Sequence, residues 1–138
     1  MPVINNLTDQ LTKNFNISEF RCNDKDRTPV PYKYYDNVKL LAQNLQALRD
    51  YLGEPIHINS GYRTPEYNAT LEGSAKHSQH MVGKAADITV KSRTPNELYA
   101  IIEKLIQEGK MKDGGHGIYN TFNHYDVRDG HSRWDFRK

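Results

Sequence analysis

The stretch Ser78-Gln79-His80-Met81-Val82-Gly83-Lys84-Ala85-Ala86-Asp87 sets a histidine and an aspartate seven positions apart, with a glycine between them. A run of small and apolar residues, Ala85 to Val90, follows and reads as a strand. A single straight helix suits the pair badly, because seven residues at about 1.5 Å each separate the two Cα atoms by roughly 10 Å. A shared metal ion would need both side chains within about 2.0–2.2 Å of it. Gly83 permits a turn that other residues resist, so His80 can sit on a loop folded back over the start of the strand. Alternation then assigns faces. Ile88 and Val90 suit a core, which turns Asp87 to the opposite face together with Ala85 and Thr89.

The pair alone is a weak signal, because single histidines and aspartates are usually solvated or hydrogen-bonded. The last strand-like segment supplies a partner. In His124-Tyr125-Asp126-Val127-Arg128, alternation puts His124, Asp126 and Arg128 on one face and Tyr125 and Val127 on the other. If this strand shares a sheet with Ala85–Val90, then His80, Asp87 and His124 converge. Two imidazoles and a carboxylate form a catalytic zinc set, with the fourth position left to water. Solvent exposure of a sheet edge is the plain alternative for the last strand.

Composition narrows the rest. The 138 residues suit one domain. A net charge of +2 gives no reason to expect a nucleic acid as partner. The mean hydropathy of −0.85 and the lack of a long apolar run argue against membrane insertion. Met1 to Leu7 has neither a basic nor an apolar region, so no signal peptide is expected. The protein should be made in the cytoplasm and reach an outside target only after release. Cys22 stands alone, which excludes an intrachain disulfide and a cysteine metal cluster; a small buried thiol is the expected state.

Along the chain, residues 1–13 read as an extended or frayed arm. Ser18 is the expected N-cap of a short turn that Phe15, Ile17 and Phe20 pin to the core. Val38, Leu41, Leu45, Leu48 and Leu52 form the apolar stripe of a helix over 34–52, which Gly53 ends. A strand at 56–59, a short helix opening at Pro65 and a capped helix opening at Thr94-Pro95-Asn96-Glu97 follow. Residues 116–120 and 124–128 read as a hairpin. His77, His57 and His131 have no spacing that recommends them, and His116, between glycines, is a candidate for the cleft.

Two further residues bear on chemistry. Arg63, on the Ser60-Gly61-Tyr62-Arg63-Thr64-Pro65 turn, can clamp a carboxylate bidentately or make a structural ion pair. Asp126 can act as general base or as the acceptor that orients a ligand histidine.

Four blocks carry a resemblance: Ser60 to Asn68, Ser78 to Asp87, Gly117-Ile118-Tyr119, and Phe122 to Arg128. In this order they resemble the zinc D-alanyl-D-alanine carboxypeptidase family, which includes peptidoglycan endopeptidases and phage lysins. The resemblance implies an α+β fold, a small antiparallel sheet with helices packed on one side and the zinc site on the open face. It implies Zn2+ held by His80, Asp87 and His124, with Arg63 on the substrate side. Tyr62, Ser78 and Tyr125 stand beside these as candidate substrate contacts. The implied partner is the peptide stem of peptidoglycan, met by a monomer after release or as part of a phage particle. The chain departs from many members just before the last ligand, where Thr121 and Phe122 stand in place of a base. A wall-binding or virion module that keeps the fold without turnover is therefore the alternative reading.

Overall fold

The computed structural model of the chain describes residues 8–71 and 73–138. Three helices, α1 (Tyr35–Leu52), α2 (Pro65–Thr70) and α3 (Pro95–Gln107), accompany five strands. The strands are β1 (His57–Ser60), β2 (Ala85–Thr89), β3 (Gly115–Ile118), β4 (Asn123–Asp126) and β5 (Ser132–Asp135). They form one sheet in the order β1-β2-β4-β3-β5. All pairings are antiparallel except that of β5 with β3, which is parallel. The fold is the expected α+β, with one correction: the sheet is mixed, because the chain after β4 passes the Gly115 end of β3 and adds β5 on its far side, parallel to it. The short polar segment Ser132–Asp135 shows no apolar alternation that would mark it as a strand.

α1 and α3 cover one face of the sheet. Their stripes, Val38, Leu41, Leu45 and Leu48 on α1 and Leu98, Ile102 and Leu105 on α3, are buried in one cluster with Ala86, Ile88 and Tyr125. Fully burying each such aliphatic side chain contributes about 1.5–3 kcal/mol. Gly53, at φ +69°, ends α1 in the left-handed region that glycine tolerates. Thr94 and Glu97 close the capping box that starts α3, with Pro95 in its first turn.

Of the arm expected at 1–13, residues 1–7 lie outside the described residues. Residues 8–13 are tied down: Leu11 is buried, and the Thr12 hydroxyl donates to Gln46 Oε1 at 2.8 Å. Asn16, not Ser18, caps the turn Ile17–Phe20. Its side chain accepts from the Ser18 N–H, and Glu19 accepts from the Asn16 N–H. Cys22 is buried, as expected of a lone structural thiol.

The second face of the sheet is open, and its residues fall in rows. One row runs Ser60, Asp87, His124, Gly117, Trp134 across all five strands. The next runs Ala85, Asp126, Gly115, Ser132 across four of them. Large polar groups stand opposite glycine for a steric reason. A Cβ on Gly117 would lie 2.1 Å from Trp134 Nε1, and one on Gly115 would lie 2.2 Å from Asp126 Oδ2.

Candidate metal centre

Asp87 and His124 are direct cross-strand partners on β2 and β4, so the sheet register itself brings them together. His80 arrives from the turn Gln79–Val82, which Ser78 caps and which ends at Gly83 with φ +74°. The glycine that suggested a folded-back loop does bend the chain there. All three side chains are buried, and one donor atom from each lies within 4.8 Å of the others.

The hydrogen-bond partners decide which atoms face inward. His80 Nδ1 donates to the Gly61 carbonyl at 2.8 Å, which leaves the Nε2 lone pair on the side of Asp87 Oδ1, 3.3 Å away. On His124 the roles are exchanged. Its Nε2 donates to Asp126 Oδ2 at 2.7 Å, and its Nδ1 lies 3.1 Å from Asp87 Oδ1. Each imidazole thus has one nitrogen occupied by a protein acceptor and one turned to the common point. Outer acceptors of this kind orient metal-ligating histidines in general. The donor set of two imidazole nitrogens and a carboxylate oxygen fits a zinc-type ion.

Electrostatics follow the same lines. Burial alone would raise the Asp87 carboxyl, but His80 and His124 hold it well below the ordinary carboxylate range. Burial drives His80 below its ordinary value against the pull of Asp87. Burial also works against the charged form of His124, yet the hydrogen bonds to Asp126 and Asp87 hold its value above the ordinary one. A cation taking the place of the His124 Nδ1 proton therefore releases that proton.

Arg63 touches the centre directly. Its Nη2 donates to Asp87 Oδ2 at 3.2 Å, its Nε to Ser60 Oγ at 3.1 Å and its Nη1 to Asn68 Oδ1 at 3.4 Å. Ser78 and Arg63 line a cleft of about 590 Å³ over the three ligands. Tyr62 and Tyr125 do not. Tyr62 packs in the core against Tyr34, and Tyr125 lies wholly beneath the sheet with its hydroxyl donating to the Lys112 carbonyl. Strand alternation, which turns Tyr125 away from His124, is the reason. His116 is likewise buried on the helix side, stacked on Tyr99 and bonded through Nδ1 to Glu103, not in the cleft.

Asp126 is fully buried, and every acceptor position it offers is engaged. His124, the Gly115 N–H and Arg128 converge on its two oxygens. Of the two roles expected for Asp126, general base and orienting acceptor, this geometry suits the second. Asp126 sits behind the His124 ring, outside the cleft lining, with its Oδ2 at 2.7 Å from His124 Nε2.

The opposite wall of the cleft holds residues to which the sequence reading gave no role, Tyr119 and Phe122 from the quoted blocks and Trp134 and Phe136 beyond them. Trp134 packs at 4.9 Å from the His124 ring, and its Nε1 donates to the Tyr119 hydroxyl at 3.0 Å. Tyr119 stacks on Phe122 and meets Phe136 edge-on. For Trp134 the one available signal was its being the chain's single tryptophan, following an arginine near the end.

Two imidazoles and a carboxylate at the foot of an open cleft define a metallopeptidase type of site. The family model for Peptidase M15 matches residues 13–126, and the chain belongs to that family, the zinc D-alanyl-D-alanine carboxypeptidase family. It is therefore a metal-dependent hydrolase of peptide bonds, from a family that acts on peptidoglycan. No curated protein matches the chain. Among the described residues no helix is long and apolar enough to cross a membrane.

Proposed function

We propose that this chain is a zinc peptidase that hydrolyses peptide bonds in the stem peptides of peptidoglycan, acting as a monomer in the manner of a phage lysin. The observation that carries the reading is the convergence of His80, Asp87 and His124 under a cleft edged by Arg63. When bound, zinc supplies Lewis acidity and lowers the pKa of a coordinated water toward about 7. The chain's own residues do the rest. The Gly61 carbonyl and Asp126 fix the two imidazole tautomers. Arg63 steadies Asp87 and keeps N–H bonds on Nη1 and Nη2 for a substrate carbonyl or carboxylate. The Tyr119 hydroxyl accepts from Trp134, so its own proton is free to be donated to a substrate oxygen. Burial raises the Tyr119 pKa above the ordinary value, so at neutral pH it is a donor and not a base.

The test is digestion of purified sacculi and defined muropeptides by the zinc-loaded protein, with fragments identified by mass. New peptide termini that vanish with His80→Ala support the reading. Intact stems after prolonged incubation with a metal-loaded, folded protein reject it.

One observation favours a second reading. Among the described residues, Asp87 is the only carboxylate lining the cleft, and it is committed to the ligand set. A module that binds wall peptides without turnover needs no proton acceptor. Sedimentation with sacculi and no released peptide is its signature.

A further inference from the structure

Arg128 follows β4 by two residues, and its side chain lines the same cleft as Arg63. Asp126 grips it along one edge of the guanidinium: Nε donates to Oδ1 at 2.8 Å and Nη2 to Oδ2 at 2.7 Å. The guanidinium carbon lies 5.4 Å from the centroid of the Trp134 ring, a cation–π distance. Between the buried carboxylate and the indole the group has a fixed plane, while its side chain remains 30% exposed.

Of the three arginines that line the cleft, Arg133 is tied to Glu103 and Asp113, and Arg63 and Arg128 are committed differently from each other. Every nitrogen of Arg63 donates to a protein acceptor. On Arg128, Nη1 has no acceptor among the described residues, and Nη2 uses one of its two N–H bonds on Asp126. The Nη1–Nη2 edge is therefore open, and that edge offers two parallel donors matched to a carboxylate. Asp126 does not cancel the charge of Arg128 alone, since it also accepts from His124. A cation at the ligand set adds further positive charge beside it.

We propose that Arg128 is a second anion-binding group of this cleft, taking a carboxylate of the peptide ligand on the His124 side while Trp134 backs its guanidinium plane. The proposal rests on the peptide-stem reading and adds the recognition of a second acidic group to it. Arg128 and Trp134 both lie beyond residue 126, where the family match ends.

The experiment uses the zinc-loaded full chain and two ligands, a stem peptide with free carboxylates and the same peptide fully amidated. Trp134 is the chain's only tryptophan, so its fluorescence reports binding from this wall. If the peptide is cleaved, KM from initial rates replaces the titration. The wild-type chain should prefer the acid form by about tenfold or more, the worth of one charge-assisted pair. Arg128→Gln should lose most of that preference by weakening the acid form alone, and Arg128→Lys should recover part of it. An unchanged acid-to-amide ratio in Arg128→Gln overturns the proposal. So does a variant that loses zinc affinity while keeping the ratio, which would leave Arg128 a support for Asp126 only. A wild-type chain that cleaves nothing rejects the peptidase reading, yet its binding ratio still decides the role of Arg128.

Discussion

His124 Nε2 stands 2.7 Å from Asp126 Oδ2, on the side of the imidazole away from Asp87. We propose on this relationship that Asp126 holds the ligand and does not move a proton in the cleft. The relationship also accounts for a carboxylate buried without exposure, because His124, Arg128 and the Gly115 N–H share it.

Replacing Asp126 separates the two roles. Asp126→Asn should weaken zinc binding about 10–100-fold, as loss of an outer partner does. Asp126→Ala should also cost about 3–5 kcal/mol of stability, because it strands a buried charge partner. Chelator competition and thermal melts measure both. A general base would behave otherwise, with turnover abolished and zinc affinity intact.

Tyr119→Phe tests the aromatic wall. The variant keeps the stacking on Phe122 but deprives Trp134 Nε1 of its acceptor. On the peptidase reading, kcat should fall about 100-fold or more, the scale of one lost transition-state donor, with zinc affinity unchanged. The tryptophan emission should shift at the same time. Equal kcat in variant and wild type would remove Tyr119 from the chemistry.

Gly117→Ala probes the row that joins β3 to β5. The added methyl would lie 2.1 Å from Trp134 Nε1, so the indole must leave its place beside His124. Overpacking of this kind costs about 1–3 kcal/mol, and Trp134 should become more quenchable by acrylamide. A melt and a quenching curve matching wild type would show that the wall yields freely.

The ligand set was legible because alternation has a fixed period. Once Ile88 and Val90 were turned inward, Asp87 had to face out, and the same rule put His124 and Asp126 on one face. The rule also turned Tyr125 inward, which denies it the role of substrate contact. Cross-strand register was not legible, since it depends on which strands meet. Asp87 and His124 form a direct pair only because β4 lies between β2 and β3. Strand β5 was hidden because Ser132-Arg133-Trp134-Asp135 lacks an apolar alternation. Its position rests on a parallel pairing with β3 and on Gly117, which leaves room for the Trp134 indole. Ser18 and Asn16 are both good caps, and the choice of Asn16 followed from Glu19 standing three residues after it.

His116 should make the fold sensitive to mild acid. Burial pushes its pKa down to about 4, against the pull of Glu103, while in the unfolded chain it titrates near 6.5. The unfolded state thus binds more protons between these values, and stability rises with pH across that window. The contribution is complete above about pH 6.5 and falls away toward pH 4, by an amount on the order of 3 kcal/mol. His116→Asn keeps a donor for Glu103 and should flatten this part of the stability curve, measured by urea melts at a series of pH values. A variant as acid-sensitive as the wild type would place the titrating group elsewhere.

Metal removal provides the most direct check on the centre itself. Without a cation, Asp87 is bonded to His124 and Arg63 and lies near His80, so the ligand side chains remain satisfied and the fold should persist in chelator. Zinc should then act as a ligand of the native state alone. At free zinc about 100 times its Kd, the gain is about 2.7 kcal/mol, or roughly 10 °C in Tm for a domain of this size. His80→Ala should abolish the gain, since two remaining ligands hold zinc poorly. The measurement is a thermal melt in chelator, in zinc and in magnesium. Magnesium prefers an octahedral oxygen shell and should leave Tm unmoved, because two of the three donors here are nitrogens. Equal shifts from both ions would point to nonspecific binding at surface carboxylates instead of the His80–Asp87–His124 centre.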